Sequence, residues 1–287
     1  MSFPSDVRPI DLMMGIPGES MVTGYASMKP LLRDAESLEA FKMPAQYLFK
    51  NLPEIAKDQK PVDFVVAQMD RHNIERALVG LEENAAGEDL RRRYNDRFIF
   101  EVAVDPNLGL QEVLRIRRLH RTYKVAAVSI FPAGLVPQVP INDKRAYPIY
   151  AICAELGIPV LVNVGVPGPR LPFAAQHAEL VDEVCWFFPE LQFVMRHGAE
   201  PWEALAVKLM LKWPNLYYST SAFAPKHYPK AIIDYANTRG SDKILYAGYF
   251  PMGLTLDRIF AELPQVPFKP EVWPKFLREN AIRLFKL

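Results

Sequence analysis

Eight short apolar runs punctuate the chain, each bounded by polar or turn-forming residues: 7–13, 76–81, 98–104, 125–130, 159–162, 191–195, 216–218 and 243–246. Runs of this length, without strict alternation, fit strands buried on both faces, as in a parallel sheet. Between them recur segments with apolar residues at helical spacing, clearest at 62–73, 110–121, 147–156, 178–188, 203–213, 228–239, 256–263 and 272–285. Eight strands alternating with helices predict an α/β fold, a (β/α)₈ TIM barrel. A doubly wound sheet is the alternative. Against it, no G-x-G-x-x-G follows a first strand and no G-x-x-x-x-G-K-[ST] occurs, so nucleotide-binding signatures are absent.

The length, 287 residues, suits one such barrel, and no linker, repeat or low-complexity tract divides it. The reading is a single domain over 1–287 with a long, irregular segment at 18–60 after the first strand. In a barrel that segment lies over the catalytic face, where Phe41, Tyr47 and Phe49 form a lid or, alternatively, an oligomer contact. Lys and Arg total 34 against 33 Asp and Glu, a net charge of +1, so no global pull toward nucleic acid or an anionic membrane is expected. No apolar run approaches the roughly 18 residues that span a bilayer. The first residues lack a basic stretch followed by an apolar one, so no secretory signal is read there. Two cysteines, Cys153 and Cys185, make neither a disulfide framework nor a metal motif, and a reducing cytoplasm is the default. Both sit among apolar helix neighbours, which reads as packing.

Chemistry in such a barrel sits at the carboxyl ends of the strands. The candidates there are Asp11, Met13, Glu82, Glu83, Asp105, Phe131, Asn163, His197, Ser219, Ser221 and Tyr249.

Several stretches carry a family resemblance: QMDRHNIE at 68–75, YNDRF at 94–98, INDKRAYPIY at 141–150, AELGIPVLV at 154–162, FPEL at 188–191, RHG at 196–198, KWPNLY at 212–217 and NAIRLF at 280–285. In this order they resemble the amidohydrolase superfamily, in particular its aminocarboxymuconate-semialdehyde decarboxylase-like branch. The resemblance implies a barrel, one divalent metal, usually zinc, and a homo-oligomer, a dimer or larger. It also implies ligands: a His-x-His after strand one, histidines after strands five and six, and an aspartate after strand eight. At the matching positions this chain has Met13 and Gly15, Asn163, His197 and Tyr249. One imidazole with a thioether, an amide and a phenol makes a poor zinc site. The expectation is therefore no metal and no other cofactor. A rebuilt metal site from Asp11, Glu101, Asp105 and His197 is the third option.

For each candidate a plain structural role stands beside the functional one. His197 is read as a general acid/base titrating near neutral pH, or as a leftover ligand hydrogen-bonded in the wall. Asp11 orients His197 or acts as base, or is inherited scaffolding. Tyr249 donates to an oxyanion, or fills the vacated metal space. Asn163 binds substrate oxygen, or satisfies neighbours. Arg170 clamps a carboxylate, or is a solvated loop residue. Arg196 points away on the outer face of its strand. Phe131, Glu200, Trp202 and Ser219 line the pocket, but no G-x-S-x-G elbow marks a serine nucleophile. The expectation is a metal-independent hydrolase or carbon–carbon or carbon–oxygen lyase that works by acid–base catalysis through His197 and Asp11. Its substrate would be a small organic acid or ring-derived metabolite, a class that comes from the resemblance alone. The competing expectation is a non-catalytic homologue that binds a small molecule or serves as a structural subunit.

Overall fold

Valine, isoleucine and alanine dominate the apolar runs, and a polar residue or proline closes each one, so the strands are short and buried on both faces. In a computed structural model, which describes residues 3–17, 19–39, 43, 45–48 and 60–287, they become β1 (Ile10–Asp11), β2 (Arg76–Gly80), β3 (Phe98–Ala103), β4 (Ala127–Ile130), β5 (Val160–Asn163), β6 (Phe193–Arg196), β7 (Leu216–Ser219) and β8 (Ile244–Leu245). The sheet order is sequential from β1 to β8, and every neighbouring pair is parallel. The seam between β8 and β1 is stitched by Leu12 N–H donating to the Tyr246 carbonyl at 3.2 Å and Gly15 N–H to that of Phe250 at 2.8 Å. This is the TIM barrel that the strand–helix alternation predicts.

Helices follow the strands as the crossover rule requires. In the segment after β1 are α1 (Glu19–Met28) and α2 (Ala35–Glu39), and α3 (Pro61–Arg71) precedes β2. Then come α4 (Ala85–Tyr94), α5 (Leu110–Tyr123), α6 (Tyr147–Leu156), α7 (Val181–Phe187), α8 (Glu203–Lys212), α9 (Lys230–Ala236) and α10 (Leu256–Glu262). A short turn, α11 (Val272–Pro274), runs through a π turn, Lys275–Glu279, into α12 (Asn280–Phe285). Among the described residues no helix is long and apolar enough to cross a membrane.

Period-two alternation divides the strands' side chains between two cores. The larger lies between sheet and helices. The inner one fills the lower barrel with Ile10, Leu12, Leu78, Ile99, Ala127, Leu161, Val194 and Leu245, and Ala281, Leu284 and Phe285 of α12 plug it from below. The alternation then dictates what stands above that floor. Two residues beyond Ile99, Leu161 and Val194 are Glu101, Asn163 and Arg196.

Described residues of the long segment after β1 meet the loop after β5. Tyr47 Oη donates to the Gly168 carbonyl at 2.7 Å. Arg170 pairs with Asp34 and Glu36 and lies over the Tyr47 ring at 4.5 Å. Phe41 and Phe49, the other two lid aromatics of the sequence reading, lie outside the described residues.

Candidate active site at the barrel mouth

Five strands, β3 and β5 to β8, carry polar groups at or just beyond their carboxyl ends. Arg196 crosses the lumen to Glu101, its Nη1 donating to Oε1 at 3.1 Å and its Nη2 to Oε2 at 2.6 Å. Because β4 and β5 lie between β3 and β6, such a pair can form only through the inside of the barrel. Arg196 therefore points inward, and the outer-face expectation is corrected. Both residues are buried, at 3% and 8% exposure, and Arg196 Nε has no acceptor among the described residues.

His197 follows directly, at the top of β6. Its backbone φ is +66°, and Gly198 and Ala199 also have positive φ, so the chain turns sharply where the imidazole leaves the strand. Such conformations are costly for non-glycine residues and concentrate at functional sites. Ser221 Oγ accepts the His197 backbone N–H at 3.2 Å and lies 3.0 Å from Nδ1, while Ser219 Oγ stands 3.3 Å from Ser221 Oγ. Ser219 is thus fully buried behind Ser221 rather than facing a ligand. The ring keeps one edge accessible at the mouth. Its surroundings nevertheless depress its pKa to about 3, through burial first and the Arg196 charge second. His197 is neutral at physiological pH. Its pKa lies below the near-neutral range that the sequence reading expects, through burial foremost and the Arg196 guanidinium second.

Tyr249, at φ +66°, meets the His197 ring edge-on at 5.3 Å. Burial pushes its phenol up to about 12, so it is a hydrogen-bonding hydroxyl, not a phenolate. Asn163 is paired in register with Arg196, and its amide makes no hydrogen bond among the described residues.

Other candidates take different places. Asp11 does not reach His197. It alternates away from Ile10 and Leu12 into the wall, where Oδ1 accepts the N–H groups of Met13 at 3.0 Å and Gly248 at 2.8 Å. Its Oδ2 and the Tyr246 hydroxyl stand together beside Gly248, and the two side chains interact. Burial raises its pKa to about 7. Asp11 therefore staples β1 to β8 and sets the turn that carries Tyr249, and its assignment as base or as the orienting group of His197 is corrected. Arg170 is already engaged by two carboxylates, which corrects its reading as a free clamp. Trp202 packs on His177 at 3.9 Å and Phe173 at 5.5 Å, Glu200 is exposed, and Phe131 covers Gly134 at the end of β4. Glu83 binds Arg115 and Arg118, Asp105 caps Asn107, and the Glu82 carboxylate accepts from Asn84 while its backbone carbonyl accepts from Arg91. These three carboxylates serve loops and helices. Among the described residues no group of three His, Cys, Asp or Glu side chains converges, which removes the alternative metal set.

A family model for amidohydrolases matches residues 35–287. The chain belongs to the amidohydrolase family. No curated protein matches the sequence. Among solved structures, it is similar to an uncharacterised TIM-barrel protein from Bordetella bronchiseptica, with TM-score 0.73 at 21% identity over 98% of this chain and 99% of that one. It is also similar to 5-carboxyvanillate decarboxylase from Novosphingobium aromaticivorans, solved with manganese and a nitrobenzoic acid, with TM-score 0.70 at 16% identity over 98% and 97%. A third is a probable 2-pyrone-4,6-dicarboxylic acid hydrolase from Acinetobacter baumannii, with TM-score 0.63 at 13% identity over 98% and 100%. At such identities these likenesses establish the fold.

The family resemblance implies a metal, and the residues here do not fit one. Met13 offers a thioether, Gly15 no side chain, Asn163 an amide and Tyr249 a protonated phenol. His197 Nδ1 faces Ser221, and a guanidinium lies next to the ring. A divalent cation prefers converging imidazoles and carboxylates, and the one carboxylate beside Arg196, that of Glu101, is already taken by the guanidinium.

Proposed function

We propose that this amidohydrolase-family chain is a metal-independent enzyme, a hydrolase or a carbon–carbon or carbon–oxygen lyase, acting on a small organic acid. The observation that carries the reading is the replacement of four of the five expected metal ligands around a retained polar mouth. Supporting it, His197 meets Tyr249 edge-on, Arg196 pairs with Glu101, and Asn163 is the register partner of Arg196 on the adjacent strand. Substrates that do not need a metal-made hydroxide suit it: lactones, thioesters and β-keto acids, whose carbonyls are already activated. In that mouth His197 acts as a neutral imidazole, with one ring nitrogen held by Ser221 and the other left to bond substrate. Tyr249 and Asn163 supply uncharged donors to developing negative charge. The carboxylates and decarboxylases named among the structural neighbours support the substrate class by analogy.

The test is turnover of a panel of lactones, thioesters and β-keto acids in excess chelator. The reading expects activity that survives chelation and falls at least about tenfold in Tyr249→Phe. Activity that appears only with added zinc or manganese contradicts it. Binding without any turnover assigns the chain instead to the non-catalytic class. The resemblance also implies self-association, and light scattering at the monomer mass of 32.7 kDa would remove that expectation.

A further inference from the structure

Arg196 is anchored at one edge only. Glu101 takes both Nη groups, and Nε–H is left buried with no acceptor among the described residues. A buried guanidinium N–H without a partner is rare and costly, and it marks a place where an acceptor oxygen, of a water or a ligand, would be stabilising. The place is the mouth itself. The guanidinium charge acts on both His197 and Tyr249, and Asn163, with its unbonded amide, is its register partner on the adjacent strand.

We propose that Arg196 Nε and the Asn163 amide form a receptor for an uncharged carbonyl oxygen of the substrate. This deepens the metal-independent reading above and rests on it. Charge balance selects the carbonyl. Glu101 neutralises the guanidinium, so an anion at the Nε edge faces a carboxylate across the same group, whereas a carbonyl meets the same donors without a second buried negative charge. Lactones, thioesters and β-keto acids all present such an oxygen. The fixed guanidinium then polarises that oxygen, the role a metal plays elsewhere.

Ligand-observed NMR titrations of benzamide and δ-valerolactone against benzoate test the receptor. Wild type is expected to bind the two neutral probes more tightly than benzoate. Asn163→Ala and the charge-neutral pair replacement Arg196→Met with Glu101→Met should each weaken benzamide about tenfold or more, the double change keeping the lumen free of an unpaired charge. Glu101→Gln unbalances the guanidinium and should reverse the preference, strengthening benzoate about tenfold. Should the double variant not fold, Asn163→Ala and Glu101→Gln carry the test alone. Unchanged benzamide binding in these variants, preference for benzoate in wild type, or no binding of either neutral probe overturns the receptor. Stoichiometric zinc in the purified protein would instead overturn the metal-independent reading while leaving the receptor's selectivity standing.

Discussion

Asp11 and His197 are both driven from their ordinary titration ranges by burial, in opposite directions because one is an acid and the other a base. Asp11 has a folded pKa of about 7 against 3.8 for an unperturbed carboxyl, so between these values the folded state holds the extra proton. Its neutral form is stabilising at acid pH, and that contribution is lost as pH rises toward 7, by up to about 4 kcal/mol. Asp11→Asn keeps an acceptor for Met13 and Gly248 and removes the titration. Thermal melts of the variant should be flatter between about pH 4 and pH 7 and higher than wild type at about pH 8. A steeper profile would remove the staple from the account. For His197 the sign reverses. Its folded value of about 3 lies below 6.5, so stability is present above pH 6.5 and drains as pH falls toward 3. His197→Gln should lessen that acid loss, read from melts across the same range. At Arg196 the cost lies in leaving a charge alone. Arg196→Met should destabilise by about 3–5 kcal/mol through the orphaned Glu101 carboxylate, and adding Glu101→Met should recover most of it. Equal destabilisation by the single and double variants in chemical denaturation would show that the pair is not the reason.

Elements divide by how much of their pattern survives in one dimension. The eight strands are legible because buried parallel strands are continuous apolar runs, and β2 to β7 lie within two or three residues of the expected limits. β1 was expected over seven residues and pairs over two, because Asp11 turns its carboxylate onto Met13 N–H and ends the ladder. Helix α4 has no counterpart in the sequence reading. Its sequence, AAGEDLRRRY, buries only Gly87 and Leu90, too little for an apolar period, and its start is marked by Asn84 accepting Gly87 N–H. The site is less legible for a similar reason. His197, Tyr249 and Asn163 follow from strand ends, but the Arg196–Glu101 pair joins residues 95 apart and is visible only once alternation is anchored to the barrel floor. Glu101 sits inside an apolar run, a signal that marks it as partnered, and nothing in the sequence names the partner. The turn after β6 carries a prediction of its own. Gly198 has φ +86°, and a Cβ there would meet the Phe223 ring at 2.4 Å. Gly198→Ala should cost about 1–3 kcal/mol and displace His197, seen as lost binding of the neutral probes alongside a lower melting temperature. Retained binding with wild-type stability would show that this turn does not set the imidazole.

At the scale of the whole molecule, the amidohydrolase barrel is complete, and Met13, Gly15, Asn163 and Tyr249 stand at four of the five positions where the family resemblance implies metal ligands. Sheet order, floor plug and seam are those of a complete barrel, and the polar side chains above the floor make a neutral, donor-rich mouth around one internal ion pair. The account stands or falls on that substitution of a fixed guanidinium for a metal. Elemental mass spectrometry of protein purified without chelator or affinity metal, on wild type and His197→Ala, tests it most directly. The account predicts substoichiometric zinc and manganese in both proteins. Near-stoichiometric metal in wild type that is lost in His197→Ala would contradict it.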